Sequence, residues 1–265
     1  MSPTKVPRSL AELRERALVA VRLQLGADTF RISDILPDHL DLLRGDEAGY
    51  HDQDYRILLS VDVWRNLELI VEGKASEVSP YESFIAVSAY HHEHIHAAGP
   101  KRVGRLSGYV SIREGTAAEK NAARLLEEAV TELWNKRHYF EFVRELGLAQ
   151  CDPRLETVSF HARYPAEVAA LEAVVSALSL QTGWDENLTL GLMARHVPDT
   201  RPPALASYFI EEYGAPGTDL ELLEKAFQFE EAFRNMFDRF EARASNGEDV
   251  GQTAASELAR IIRGW

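Results

Sequence analysis

The sequence predicts a mostly helical α+β protein, with a small sheet in its first half and helices alone in its second. Three observations carry that expectation. Ser or Thr followed three residues later by Glu occurs at four places ahead of long helical runs, a spacing that lets side chains and backbone satisfy two orphan N–H groups reciprocally. Stretches that are apolar, β-branched and of strand length are confined to the first half. The 265 residues are 45% hydrophobic and 27% charged, enough apolar mass for a sizeable core. No apolar run approaches the ~18 to 20 residues that a bilayer crossing needs.

The four boxes are Ser9 with Glu12, Ser79 with Glu82, Thr116 with Glu119, and Thr218 with Glu221. They start helices expected over residues 10–25, 80–98, 117–146 and 219–245, stopped by Gly26, Gly99, Gly147 and Asn246-Gly247. Pro80 falls at a first helical position, where its missing N–H costs nothing. Further helices are expected over 165–180, 186–196, 204–213 and 253–263. Strands are expected over 55–63 and 68–71, with a ribbon around Gly108 across 103–112. The change from strand-bearing to all-helical sequence falls near Cys151 to Pro153. It divides an N-terminal lobe, 1–150, from a helical C-terminal subdomain, 151–265.

Forty-two acidic against 29 basic residues give a net charge of -13, which disfavours nucleic acid as a partner because phosphate would be repelled by most of the surface. Cys151 is the only cysteine, so neither a disulfide nor a thiolate zinc knuckle can form within one chain. Any metal must be held by His, Glu or Asp. Residues 1–9 lead into a charged amphipathic helix and not into an apolar signal segment, so a cytoplasmic location is expected, with export by another route left open. No membrane partner is expected.

The second boxed helix reads Tyr90-His91-His92-Glu93-His94-Ile95-His96 and contains H-E-x-x-H at His92, Glu93 and His96. A spacing of four stacks two imidazoles on one helix face, near enough to share a zinc ion. Glu93 then stands where a general base for the attacking water is needed. Ile85, Ser88, Ala89, His92 and His96 form one stripe, so the two candidate ligands continue the buried side, while His91 and His94 point elsewhere. Histidines bonded to backbone carbonyls in a core are the competing reading of this cluster.

A zinc site of this kind takes three protein ligands and leaves the fourth position open. The next helix has an apolar face of Leu126, Ala129, Val130 and Leu133, with Glu127, Glu128 and Glu132 beside or against it. Glu128 is the most closely bracketed by apolar neighbours, and a buried carboxylate requires a cation. Glu127 and Glu132 keep the ligand register open by one turn.

His92-Glu93-x-x-His96 followed by Glu128-Ala129-Val130-Thr131-Glu132 resembles the gluzincin branch of the zincin metallopeptidases, many of which carry Glu-Gly-x-Thr-Glu on the third-ligand helix. Ala129 stands where the family usually has Gly. The resemblance covers residues 49–140 and implies a zincin-like catalytic core with zinc as cofactor. In it, His92, His96 and Glu128 are ligands, Glu93 is the general base, and Thr131 and Glu132 orient a ligand histidine from behind. It also implies that residues 50–63 hold the sheet strand whose edge pairs with an extended peptide.

Zincins stabilise the oxyanion with a polar group downstream of the third ligand. Tyr164-Pro165-Ala166-Glu167-Val168 resembles a Tyr-Pro-x-Glu-Val stretch found after the core of several bacterial zincin-like proteins, which implicates Tyr164, with His161 as the alternative. The residue-level reading of Tyr164 is an apolar staple at a helix start. Trp64, Trp134, Trp184 and Trp265, and the run Phe227, Phe229, Phe233, Phe237 and Phe240, read as core.

The function expected is a zinc-dependent metallopeptidase acting on a peptide or protein substrate, its C-terminal subdomain closing one side of the cleft. Two other readings stand beside it: a zincin fold serving as an inactive binding or regulatory module, and a helical interaction protein without metal.

Overall fold

The structure, a computed structural model, describes residues 6–26, 32, 34–39, 48–51, 56–98, 116–196, 201–214 and 217–237, with 239, 253, 256, 260 and 263 singly. The chain is mostly helical with one small sheet, and every described strand lies before residue 60.

Helix α1 (Leu10–Leu25) starts at Ser9, whose Oγ accepts from Glu12 N at 3.2 Å, while the Glu12 carboxylate turns back to Arg8 N–H. It buries Leu13, Ala17, Ala20, Val21 and Leu25, one face of a helix. The chain leaves through Gly26, whose φ of 60° lies in the left-handed region that favours glycine. Strands β1 (Asp34–Pro37), β2 (Gly49–His51) and β3 (Arg56–Leu59) form a sheet in the order β1-β3-β2, with β1 parallel and β2 antiparallel to β3. Gly49 stands opposite Leu59, and Ser60 N–H donates to Ala48 O just beyond the ladder.

The strand expected over 55–63 stops at Leu59, and the one expected over 68–71 is helix, because α2 (Val61–Val71) occupies both. Ser60 caps it by accepting from Val63 N, and Val63, Leu67, Ile70 and Val71 recur at helical spacing on its buried side. Burial of that stripe overrides the β-branched composition that reads as strand. A second correction concerns the edge. The segment 50–63 contributes to two strands, and β3 is bonded on both sides, so among the described strands the outer edges belong to β1 and β2.

The active-site helix of the sequence reading is α3 (Pro80–Ala98), with both expected bounds. Its capping box is complete: Ser79 Oγ accepts from Glu82 N, and Glu82 accepts from Ser79 N. Helix α4 (Ala117–Glu145) follows, then Gly147 at φ 74° and the short α5 (Leu148–Cys151). The remaining helices are α6 (Pro165–Thr182), α7 (Glu186–Ala194), α8 (Arg201–Tyr213) and α9 (Asp219–Phe237). α8 begins at Arg201, before the expected 204, because Pro202 and Pro203 are tolerated in a first turn. The expected ribbon at 103–112, the helix at 253–263 and the stretch 238–245 lie outside the described residues, apart from the single positions named above.

By internal contacts the chain forms two compact units, Met1–Ser107 with Asn135–His161, and Gly108–Trp134 with Ala162–Trp265. The first holds the sheet, α1 to α3 and the second half of α4, around an edge-to-face cluster of Phe84, Tyr139 and Phe160. The second holds the first half of α4 and α6 to α9, with Trp184, Phe229 and Phe233 buried. Phe227 of the same aromatic run is 45% exposed. No helix among the described residues is long and apolar enough to cross a membrane.

Candidate metal centre

All four histidines of α3 are buried, and each has a distinct environment. The His92 and His96 rings meet edge-on, with their Nε2 atoms 3.1 Å apart, as the four-residue spacing requires. His94 Nδ1 donates to Tyr90 O at 2.7 Å, and burial lowers its pKa to about 4, so the ring is neutral near pH 7. His94 is therefore a core histidine of the carbonyl-bonded kind. His91 stacks on Phe142 with ring centres 4.0 Å apart, and burial holds its pKa well below the usual imidazole value.

Asn135 of α4 bridges Ser88 and His91: its Nδ2 donates to Ser88 O at 3.2 Å and to Ser88 Oγ at 2.9 Å, and its Oδ1 lies 2.8 Å from His91 Nδ1, while Gln24 Oε1 lies 3.3 Å from His91 Nε2. These bonds register α3 against α4. Moving four and eight residues along α3 from Ser88 reaches His92 and His96, and moving seven residues back along α4 from Asn135 reaches Glu128, two turns away on the same face. Ligand atoms of His92, His96 and Glu128 lie within 4.8 Å of one another. All three residues are buried, and no other group of three such side chains occurs among the described residues.

Replacing Asn135 by Leu preserves volume but removes the polar partner of His91 Nδ1 and of Ser88 in the core. We expect it to lower stability by about 3 kcal/mol in urea unfolding of the metal-free protein, whereas surface substitutions on the same helix stay within about 0.5 kcal/mol.

The three glutamates in question have different partners. Glu127 accepts from Arg201 Nη2 at 2.5 Å, and Arg201 also donates to Glu230 Oε1 at 3.0 Å and to Met193 O at 3.1 Å. Burial opposes the Arg201 charge, but the two carboxylates outweigh it and raise its pKa above the ordinary arginine value. Glu132 accepts from Arg163 N at 3.0 Å. Glu128 is the one of the three that lies with His92 and His96.

Thr131 and Glu132 are fully buried, on the same helix as Glu128. The Glu132 bond to Arg163 N brings the neighbouring Tyr164 to the turn of α4 after Glu128. Tyr164 occupies the position before α6, half-buried, and its side chain makes no capping bond there. His161 is exposed and packs edge-on against Tyr81 and Phe84. Phe84 precedes His92 by eight residues, about 12 Å of helix, so His161 stands away from the ligand pair.

Glu93 is 4% exposed. Gly49 of β2 lies against it so closely that a Cβ there would be 2.6 Å from Glu93 Cγ and 3.0 Å from Oε1.

The donor set fits a divalent metal ion. Two nitrogens each about 2.05 Å from a tetrahedral ion stand about 3.3 Å apart, close to the separation of the two Nε2 atoms. Two imidazoles and one carboxylate also match the ligand chemistry of a divalent ion with a position left open. The group can therefore hold a metal ion. In comparisons with known proteins, no family model, curated protein or solved structure matches the chain.

Sequence reasoning did not single out Asn135, Arg201 or Gly49. Asn135 had a signal: it is a polar residue two turns beyond Glu128, in line with it on the face that holds the ligand. The other two meet partners distant in sequence, which no local pattern records.

Proposed function

We propose that the chain is a zinc-dependent metallopeptidase with a zincin-like catalytic core of the gluzincin type. The observation that carries the reading is the convergence of Glu128 on His92 and His96, with a buried glutamate, Glu93, next to the first ligand. The resemblance of the two motif segments adds to it.

A zinc ion held by these ligands would polarise the scissile carbonyl and acidify the attacking water. Glu93 accepts a proton from that water and returns it to the leaving amine nitrogen, so one carboxylate serves both halves of the reaction. Thr131 and Glu132 orient the ligand set from behind. Tyr164 donates to the oxyanion, an assignment favoured over His161 by the backbone bond between Arg163 and Glu132. An extended peptide bonds along the outer edge of β2, beside Glu93.

The test is hydrolysis of a mixture of unstructured, dye-quenched peptides by the zinc-loaded chain, with and without a chelator. Chelator-sensitive cleavage is expected. Stoichiometric zinc without cleavage of any peptide would point instead to a binding module.

A further inference from the structure

We infer that Gly49 is a positioning residue for Glu93: the bare backbone of the β2 edge forms the wall that holds the carboxylate in place. The inference rests on the reading of Glu93 as general base, and it names the part of the fold that sets where the base stands.

Local backbone bonds tie the wall to its neighbour β3. Gly49 stands opposite Leu59 in the ladder, Ala48 O accepts from Ser60 N at 3.0 Å, and both Ala48 and Leu59 are buried. The edge strand is therefore tied at the point where it meets α3. On the other side, Glu93 lies in a helix, which removes one χ1 rotamer, and its flanking residues His92 and His94 are buried.

The contact runs along the side chain. A Cβ on Gly49 would lie 2.6 Å from Cγ, 3.0 Å from Oε1 and 3.1 Å from Cδ of Glu93, and the first distance is below what real Cβ atoms show. A methyl group must therefore displace the stem and the carboxylate together. Catalytic groups tolerate about 0.5 Å of misplacement, and about 1 Å costs on the order of 100-fold in rate. The absence of a side chain at 49 is in this sense part of the site.

The experiment compares wild type, G49A, E93Q and G49A/E93Q in bound zinc and in kcat and KM on unstructured dye-quenched peptides. Thermal unfolding of wild type, G49A, E93A and G49A/E93A gives a second readout independent of catalysis. We expect G49A to keep its zinc and its KM while kcat falls about 10- to 100-fold, with no further loss when Gly49→Ala is added to Glu93→Gln. We expect it to lower Tm by roughly 3–8 °C in the wild type and by far less when Glu93 is already Ala, because the clash is then gone. An equal Tm loss in both backgrounds, or a G49A enzyme with wild-type kcat, would overturn the inference. If no peptide is cleaved by any form but the Tm coupling is present, the peptidase reading fails while the contact stands. If G49A does not fold but G49A/E93A does, that difference is itself the coupling.

Discussion

Arg201→Met is expected to destabilise the protein by about 3–5 kcal/mol, the largest single effect in the described structure. Arg201 is fully buried and donates to Glu127, Glu230 and Met193 O, joining α4, α9 and α7. Taking the charge out of water is costly, so this cluster is a poor source of net stability by itself. Breaking it from one side is worse, since two buried carboxylates then remain without their cation. Burial penalises the charged form of a carboxylate that has lost its cation. The penalty is then greatest near pH 7 and shrinks as pH falls through the carboxylate range. Urea unfolding of R201M at pH 7 and pH 5 measures both parts. The triple variant E127L/R201M/E230L, which removes every charge, is expected to recover most of the loss. If it is no more stable than R201M, packing and not charge is what Arg201 supplies.

The largest effect on activity is expected from Glu93→Gln. Gln keeps the shape of the side chain but cannot accept the proton of the attacking water, so peptide cleavage falls by about 100- to 10,000-fold. Glu93 is not one of the three converging ligands, so bound zinc stays at the wild-type level. Activity that persists with metal bound would remove Glu93 from the mechanism. Metal lost together with activity would make it a ligand.

Much of this was legible in local sequence. Capping is a matter of three residues, so Ser79 with Glu82 announced α3 correctly, and the four-residue spacing of His92 and His96 stated their shared face. The strands were overread where two signals compete. Residues 61–71 are β-branched enough to suggest strand, yet Val63, Leu67, Ile70 and Val71 follow the helical period, and burial of that stripe decides. Which glutamate lies with the histidines was not a local matter. Glu127 and Glu128 have similar neighbours in sequence, and in the structure Arg201, 74 residues beyond Glu127, pairs with the first while the second lies with His92 and His96. Gly49 is a similar case. A glycine in a strand has several uses, and only the meeting with Glu93 shows which one applies.

The central claim is that His92, His96 and Glu128 together hold one zinc ion. Its most direct test is the metal content of the chain purified without added zinc and again after zinc is supplied, for wild type, His96→Ala and Glu128→Ala at equal concentration. The account predicts about one zinc per wild-type chain and clear loss in both variants. No metal above background in the wild type, even with zinc supplied, would contradict it and return His92 and His96 to the core alongside His91 and His94.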